Sequence, residues 1–406
     1  TARSSEWSEH LSRYLDDVSM TAEFQRFTKE DYTPLISRLI QYVPAPNFKR
    51  MSDAQRRNKL SSSKSQLLIA LQEATESSNF SDIISSEFIN LPDNDTKKLL
   101  VLVGIATIAR VGVSEAMAKQ AFEQFSQQRS FENAMSALSG IVADSGGGRL
   151  LARHELYAHH VLDTLTSPEE FLSVASSLLH IFGNYETPVI KYSSRQDGIL
   201  FKFLLNHDFI FNRVKRFKDR EFGVFYYQNH EVDFQLDGHF WLQYGLFMGR
   251  IGRDAQAAEI LTQSIRAYPD NPFAVHALAD LQLKLVRNAT HFDKMVSSLL
   301  EEAVTSLNSM DKRQESRTDH YPLVTLANGH IDCLLAHGFI DDALALSQEY
   351  YERLTILEKM QPTPAVKTAR KRQLVFATTR DWDLPLKSRP PQHKGKNGSR
   401  RKITNK

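Results

Sequence analysis

Apolar residues recur at three- and four-residue steps along almost the whole chain, with short polar breaks between the runs. That spacing lines one face of an α-helix and confines the fold to helices packed face to face. Glycine and proline agree with this. Only 17 and 14 of the 406 residues are of these types, too few for a loop-dominated, collagen-like or many-turned β protein. A chain of this length is expected to form roughly two to four domains, and its 41% hydrophobic content supplies their cores.

The spacing predicts helices over Trp7 to Val18, Asp31 to Val43, Ser61 to Ser77 and Ser81 to Asn90. Pro44 and Pro46 mark the stretch from Pro44 to Ser52 as a loop. Thr96 to Ala109 is strongly apolar but too short to span a bilayer, so it reads as a buried core helix. Val111-Gly112-Val113-Ser114 reads as a turn, with Ser114 as N-cap of a helix from Glu115 to Phe125. Another helix covers Phe131 to Ser139.

The pattern breaks at 140–153. Ile141-Val142-Ala143 and Leu150-Leu151-Ala152 flank Asp144-Ser145-Gly146-Gly147-Gly148-Arg149, which reads as a β-hairpin. A helix from His154 to Leu165 follows at once. Helices, a small hairpin and a closing helix in that order resemble a winged-helix arrangement. Helices then resume over 167–184, 197–206, 209–217, 219–229 and 234–250.

Residues 239–285 carry a repeat signature. Trp241, Tyr244, Gly245 and Met248 reproduce the spacing of a tetratricopeptide first helix, with Tyr for Leu and Met for Tyr. Gly252 falls at the turn, Ala257, Leu261 and Ser264 follow on a second helix, and Pro269 stops it. Small Gly245 and Ala257 suit a close helix approach. The next first helix starts at Pro272, about 34 residues after the first, and its partner runs from Met295 to Leu307. A third pair, Leu323 to His337 and Ile340 to Leu354, turns at Gly338 and places Ala343 where Ala257 stands after Gly252. A generic helical bundle is the alternative, because Trp241 and Ala257 also serve ordinary core packing.

Catalytic patterns are missing. There is no G-x-x-x-x-G-K-[ST] loop, no G-x-S-x-G elbow and no H-E-x-x-H motif, so the chain is read as not an enzyme. Gly146-Gly147-Gly148-Arg149 lacks the Lys-Ser/Thr that holds phosphate and Mg²⁺. His159 and His160 are adjacent and point apart on a helix, and the other histidines are scattered, so no metal centre is expected. The single cysteine, Cys333, excludes an internal disulfide and a four-cysteine zinc site and reads as a buried thiol.

Charge is unevenly placed. Eight Lys/Arg and no Asp/Glu lie from Lys387 onward, so the remainder holds 42 basic and 48 acidic residues, a net of −6. The tail is polar and basic and is expected to be disordered from about 387. It offers a contact for nucleic acid or an acidic surface, with no aromatic residue for base stacking. The stretch from Tyr192 to Glu231 mixes Phe201, Phe209, Arg213, Phe217, Lys218 and Tyr227. The aromatic residues there read as core and the basic ones as a solvated face, with a stacking surface for nucleic acid as the lesser reading. No run of about 18 apolar residues exists, so no membrane contact is expected. The start at Thr1, without Met or an apolar signal core, fits a fragment or a processed cytoplasmic chain.

The order of segments resembles a known class. Gln66-Leu67-Leu68-Ile69-Ala70-Leu71-Gln72-Glu73-Ala74-Thr75, then Phe80-Ser81-Asp82-Ile83-Ile84 and Glu87-Phe88, looks like the helical lid of STAND-class P-loop NTPases. The hairpin ending Leu151-Ala152-Arg153-His154-Glu155-Leu156-Tyr157-Ala158 is similar to the winged-helix strand of that class. Tetratricopeptide-like repeats complete the order. The resemblance implies a mainly α chain with a helical lid-like region (1–95), a winged-helix-like domain (96–165) and a helical linker (166–235). A tetratricopeptide-like α-solenoid (236–360) and a C-terminal extension (361–406) follow.

In that class the winged-helix histidine approaches the phosphates of bound ADP. The likeness makes His154 the nucleotide-sensing candidate, with Arg153 beside it, and capping or packing within the domain is the competing role for His154. The NTPase core itself is absent, so the chain binds no cofactor alone, and ATP or ADP belongs with a core upstream of Thr1. The resemblance implies the regulatory and ligand-sensing part of a nucleotide-switched signalling NTPase. Its repeats take a protein trigger, its NTPase region makes homo-oligomers, and its setting is bacterial antiphage defence. The alternative is a stand-alone tetratricopeptide-like protein-interaction scaffold.

Overall fold

In a computed structural model, residues 30–42, 46–62, 80–126, 129–145, 147–215, 220–269, 271–313 and 320–384 are described. The helices expected over Trp7 to Val18 and Ser61 to Ser77, the lid-like run Gln66 to Thr75, and the basic tail from Lys387 lie outside them, apart from Ser61 and Ser62. The chain divides into two units, 1–251 and 252–406.

Among the described residues the first unit opens with α1 (Tyr32–Tyr42), α2 (Pro46–Arg50) and α3 (Asp53–Ser62). Tyr32, Ile36 and Leu39, spaced by three and four, bury one face of α1 with Phe48 and Leu60. The loop expected at Pro44 to Ser52 is therefore partly helical. Pro46 holds the first position of α2, where its missing N–H costs nothing. Arg56 fixes the turn by donating to the carbonyls of Phe48 (3.0 Å) and Lys49 (2.7 Å).

Next come α4 (Phe80–Ile89) and α5 (Asn94–Ile108). Asp93 caps α5 by accepting from the Thr96 amide at 2.7 Å. Nine successive residues of α5, Leu99 to Thr107, are buried, as its apolar sequence demands. Gly112 then turns the chain with φ +63°, and a Cβ there would lie 2.9 Å from the Leu150 carbonyl oxygen. The turn expected at 111–114 instead yields a short strand, β1 (Val113–Ser114). Ser114 does cap α6 (Glu115–Phe125), accepting from the Met117 amide at 3.3 Å. After α7 (Phe131–Ala137), strands β2 (Val142–Asp144) and β3 (Arg149–Ala152) form the expected hairpin. The sheet order is β1-β3-β2, antiparallel throughout, with Val113 opposite Leu150 and Ala143 opposite Leu151.

The helix expected from His154 to Leu165 changes character midway. Helix α8 (Glu155–His160) passes into a π-turn at Val161–Leu165. Side chains meet the carbonyls affected: Thr166 Oγ1 donates to Val161 O (2.9 Å) and Arg213 Nη1 to Leu162 O (2.9 Å). The unit continues with α9 (Pro168–Ile181), α10 (Val189–Tyr192), α11 (Arg195–Leu205), α12 (His207–Lys215), α13 (Glu221–Gln228) and α14 (Gly238–Arg250). Phe201, Phe211, Tyr226 and Tyr227 are buried, as are Phe182, Phe234, Phe240 and Phe247 around them, so much of the aromatic stretch is core, but Tyr192 and Phe225 are half exposed. Arg213 departs from the expected solvated face. It is buried, pairs with Asp163 and lies over the rings of Phe171 and Phe209.

The second unit is an α-solenoid-like stack of helical hairpins. It comprises α15 (Asp254–Ala267), α16 (Pro272–Asn288), α17 (Lys294–Arg313), α18 (Tyr321–Ala336), α19 (Ile340–Met360) and α20 (Pro364–Thr379). Each helix packs on the next, and α16 also packs on α18, and α18 on α20. That next-but-one contact is what stacking of two-helix repeats produces. Gly338 at φ +80° ends α18, and the Phe339 amide donates back to Leu334 O at 2.9 Å. The core runs through Leu283, Leu307, Leu326, Ile331, Tyr350 and Phe376. Cys333 lies in it, donating to Leu283 O at 3.1 Å, and burial pushes its thiol up to about 12. Among the described residues no helix is long and apolar enough to cross a membrane.

Candidate functional site

Arg153 and His154 stand where β3 leaves the sheet and α8 begins. His154 has extended backbone and caps α8, its Nδ1 accepting from the Leu156 amide at 3.1 Å. That bond makes Nδ1 the unprotonated nitrogen, so a neutral His154 carries its proton on Nε2. Arg153 turns towards α4, where its Nη2 donates to both oxygens of Glu87 at 2.9 and 2.6 Å. The guanidinium also lies 5.0 Å from the centre of the Tyr157 ring. Burial, and then the Glu87 carboxylate, raise the Tyr157 pKa, so its hydroxyl stays protonated. A second pair, Arg110 with Glu155 at 3.2 Å, flanks the corner. Each arginine here has a carboxylate partner, so a phosphate reaching Arg153 competes with Glu87.

The second unit offers a groove of about 370 Å³ between α16 and α18. Asp280, Lys284 and Arg287 line it from one helix, and Thr325, Asn328 and Asp332 from the other. Gly329 allows the approach, since a Cβ there would lie 2.7 Å from Leu283 Cδ1. Lys284 is held by Asp254 at 2.8 Å, and Thr325 is bonded to His276 at 3.0 Å. The Asn328 Oδ1 is buried and has no hydrogen-bond partner among the described residues. A larger groove of about 460 Å³ lies beside α17 and is acidic, with Glu301 and Glu302 in its wall.

The repeat residues occupy three places. Trp241, Tyr244 and Gly245 are buried on α14 in the first unit. Trp241 Nε1 donates to Gln235 O at 3.0 Å, and Tyr244 stacks on Tyr227 with ring centres 5.0 Å apart. Ala257 is buried on α15, Pro269 follows that helix, and Ala343 is buried on α19 just beyond Gly338.

Three features were not read from sequence. Glu87 stands 66 positions from Arg153, and nothing local in either segment announces the pair. Asn328 looks like any polar residue on a helix until its carbonyl is found enclosed. His180, His230 and Asp233 converge in the first unit although His180 and Asp233 are 53 positions apart.

No family model matches the chain, and no curated protein matches its sequence. One solved structure is similar at a low level. It is a Signal Transduction ATPase with Numerous Domains (STAND) protein with a tetratricopeptide repeat sensor from Pyrococcus horikoshii, at 14% identity and a TM-score of 0.28. The match covers 85% of this chain and 49% of that one, so the chain spans about half the length of that protein. A likeness at that score assigns neither fold nor function.

Proposed function

We propose that the chain is the regulatory and ligand-sensing part of a nucleotide-switched signalling NTPase. The observation that carries the sensing half is the groove between α16 and α18, with its mixed charges. Lys284 and Arg287 beside Asp280 and Asp332 suit a polypeptide ligand, which carries both signs and backbone N–H donors, better than a polyanion.

In this reading the block from α5 to α8 is a winged helix. Its element order of helix, strand, two helices and two strands, with β1 pairing across to β3, supports that assignment. His154 presents an Nε2 proton to phosphate, and Arg153 exchanges Glu87 for the same anion. Ligand in the groove then acts only if it binds the open state more tightly than the closed one. ATP hydrolysis, effector activity and homo-oligomer formation belong to a core outside this chain. The trigger is an invading phage protein met in a bacterial cytoplasm, a step that rests on likeness to the class alone.

The test uses the full-length protein and light scattering in ADP and in ATP. His154→Ala is expected to assemble without trigger, because the ADP-closed state loses a contact. Lys284→Glu with Arg287→Glu is expected to respond to nucleotide and ignore the trigger. A His154→Ala protein that matches wild type in both nucleotides sinks the nucleotide half.

A scaffold without nucleotide is the second reading. It is favoured by the bonds already made at the corner, since Arg153 is paired with Glu87 and the His154 Nδ1 is taken up by the Leu156 amide. Partner binding that is the same with and without nucleotide in the full-length protein selects it.

A further inference from the structure

The first unit holds a cluster of titratable groups that the hairpin corner does not use. His180 lies in the last turn of α9, one turn after Ser176. His230 and Asp233 lie in the turns joining α13 to α14. Gly183 lets the segment after α9 close on this point, because a Cβ there would sit 3.2 Å from Asp233 Cβ. The His180 Nδ1 lies 2.9 Å from Asp233 Oδ2, and the His230 Nδ1 lies 3.1 Å from the same oxygen. One ligand atom from each of the three residues falls within 4.8 Å of the others.

We propose that His180, His230 and Asp233 form a binding site for a divalent transition cation of the zinc class. Bonds of about 2.0–2.1 Å to nitrogen and oxygen in a tetrahedron place the ligand atoms roughly 3.3 Å apart. The two separations from Asp233 reach that value with shifts of a few tenths of an ångström, and the two imidazole nitrogens, within 4.8 Å of each other, reach it by a turn of the exposed His180 ring. Two imidazoles with one carboxylate select zinc and its neighbours over calcium or magnesium, which take oxygen ligands.

The surroundings fit the ligand set. The His230 Nε2 lies 2.7 Å from Ser176 Oγ. When Nδ1 binds a cation the ring proton resides on Nε2 and is donated to that hydroxyl, which accepts as readily as it donates. The His230 side chain is 3% exposed and Asp233 22%, whereas His180 is 58% exposed. Two ligands are thus fixed by the fold, the third closes from the solvent side, and the fourth position falls to water.

The test is a titration of the full chain after dialysis against a chelator. Co²⁺ is followed by its visible d–d absorption and Zn²⁺ by calorimetry. Wild type is expected to bind one equivalent, with Zn²⁺ displacing the Co²⁺ spectrum. His180→Ala alters an exposed side chain, so circular dichroism should match wild type while the spectrum is lost. Asp233→Asn is expected to lose it too, and Ser176→Ala to weaken binding about 10- to 100-fold. Retention of the bound equivalent in folded His180→Ala overturns the site. So does the absence of saturable binding in wild type, which leaves a hydrogen-bonded His–Asp–His tie.

Discussion

A single guanidinium nitrogen of Arg153 bridges both carboxylate oxygens of Glu87, at 2.9 and 2.6 Å, and so ties α4 to the end of β3. Both side chains are about one-third exposed, so solvent screens the pair and its contribution stays near 0.5–1 kcal/mol. Glu87→Gln should lower stability by that amount in urea unfolding. A double-mutant cycle with Arg153→Gln should return a coupling of the same size. A coupling near zero would contradict a tie between α4 and the end of β3.

Gly223 faces the ring of Phe247 so closely that an added Cβ would fall 2.2 Å from Cζ. Phe247 is fully buried and cannot swing away. Gly223→Ala should therefore cost about 1–3 kcal/mol through overpacking. Phe247→Leu should be less damaging in the Gly223→Ala background than alone. Additive losses in thermal unfolding would contradict that contact.

Arg213 is buried and serves the Leu162 carbonyl, Asp163 and two aromatic rings at once. Arg213→Met keeps the apolar stem but leaves the π-turn carbonyl without its donor. A loss of about 2–3 kcal/mol is expected, below that of a wholly buried ion pair because Asp163 is partly exposed. A change under roughly 0.5 kcal/mol, the range of an ordinary surface site, would contradict this placement.

Burial lowers the pKa of His330 to about 4, against an opposing pull from Glu349. Its Nδ1 lies 2.8 Å from the Tyr350 hydroxyl, which fits a neutral ring accepting that proton. In the unfolded chain the group titrates near 6.5. Between about pH 6.5 and 4 the unfolded chain binds the extra proton, so stability falls as the pH falls, by up to about 1.4 kcal/mol per unit. Above that window the contribution is flat. His330→Gln should flatten the slope of unfolding free energy between roughly pH 7 and 5 by up to one proton, and an unchanged slope would show that the ring titrates normally.

Local chemistry was the legible part of this fold. Ser114 announced its cap, Gly338 its turn, and the glycine cluster before Arg149 its hairpin, because each depends on residues within a few positions. Strand β1 was missed because two residues carry no periodicity, and Val113 becomes strand only when β3 arrives beside it. The π-turn was missed for a similar reason, since Arg213 meets its carbonyl from 51 positions away. The place of Arg153 and His154 at the end of the hairpin was legible from sequence, but the partner Glu87, the enclosed Asn328 carbonyl and the partners of His180 are products of tertiary packing.

A nucleotide switch needs a phosphate-binding loop that works together with this chain. The most direct measurement is the coding sequence immediately upstream of Thr1. The account predicts an in-frame G-x-x-x-x-G-K-[ST] segment there. A start codon directly before Thr1, with no gene for such a segment alongside, would contradict it.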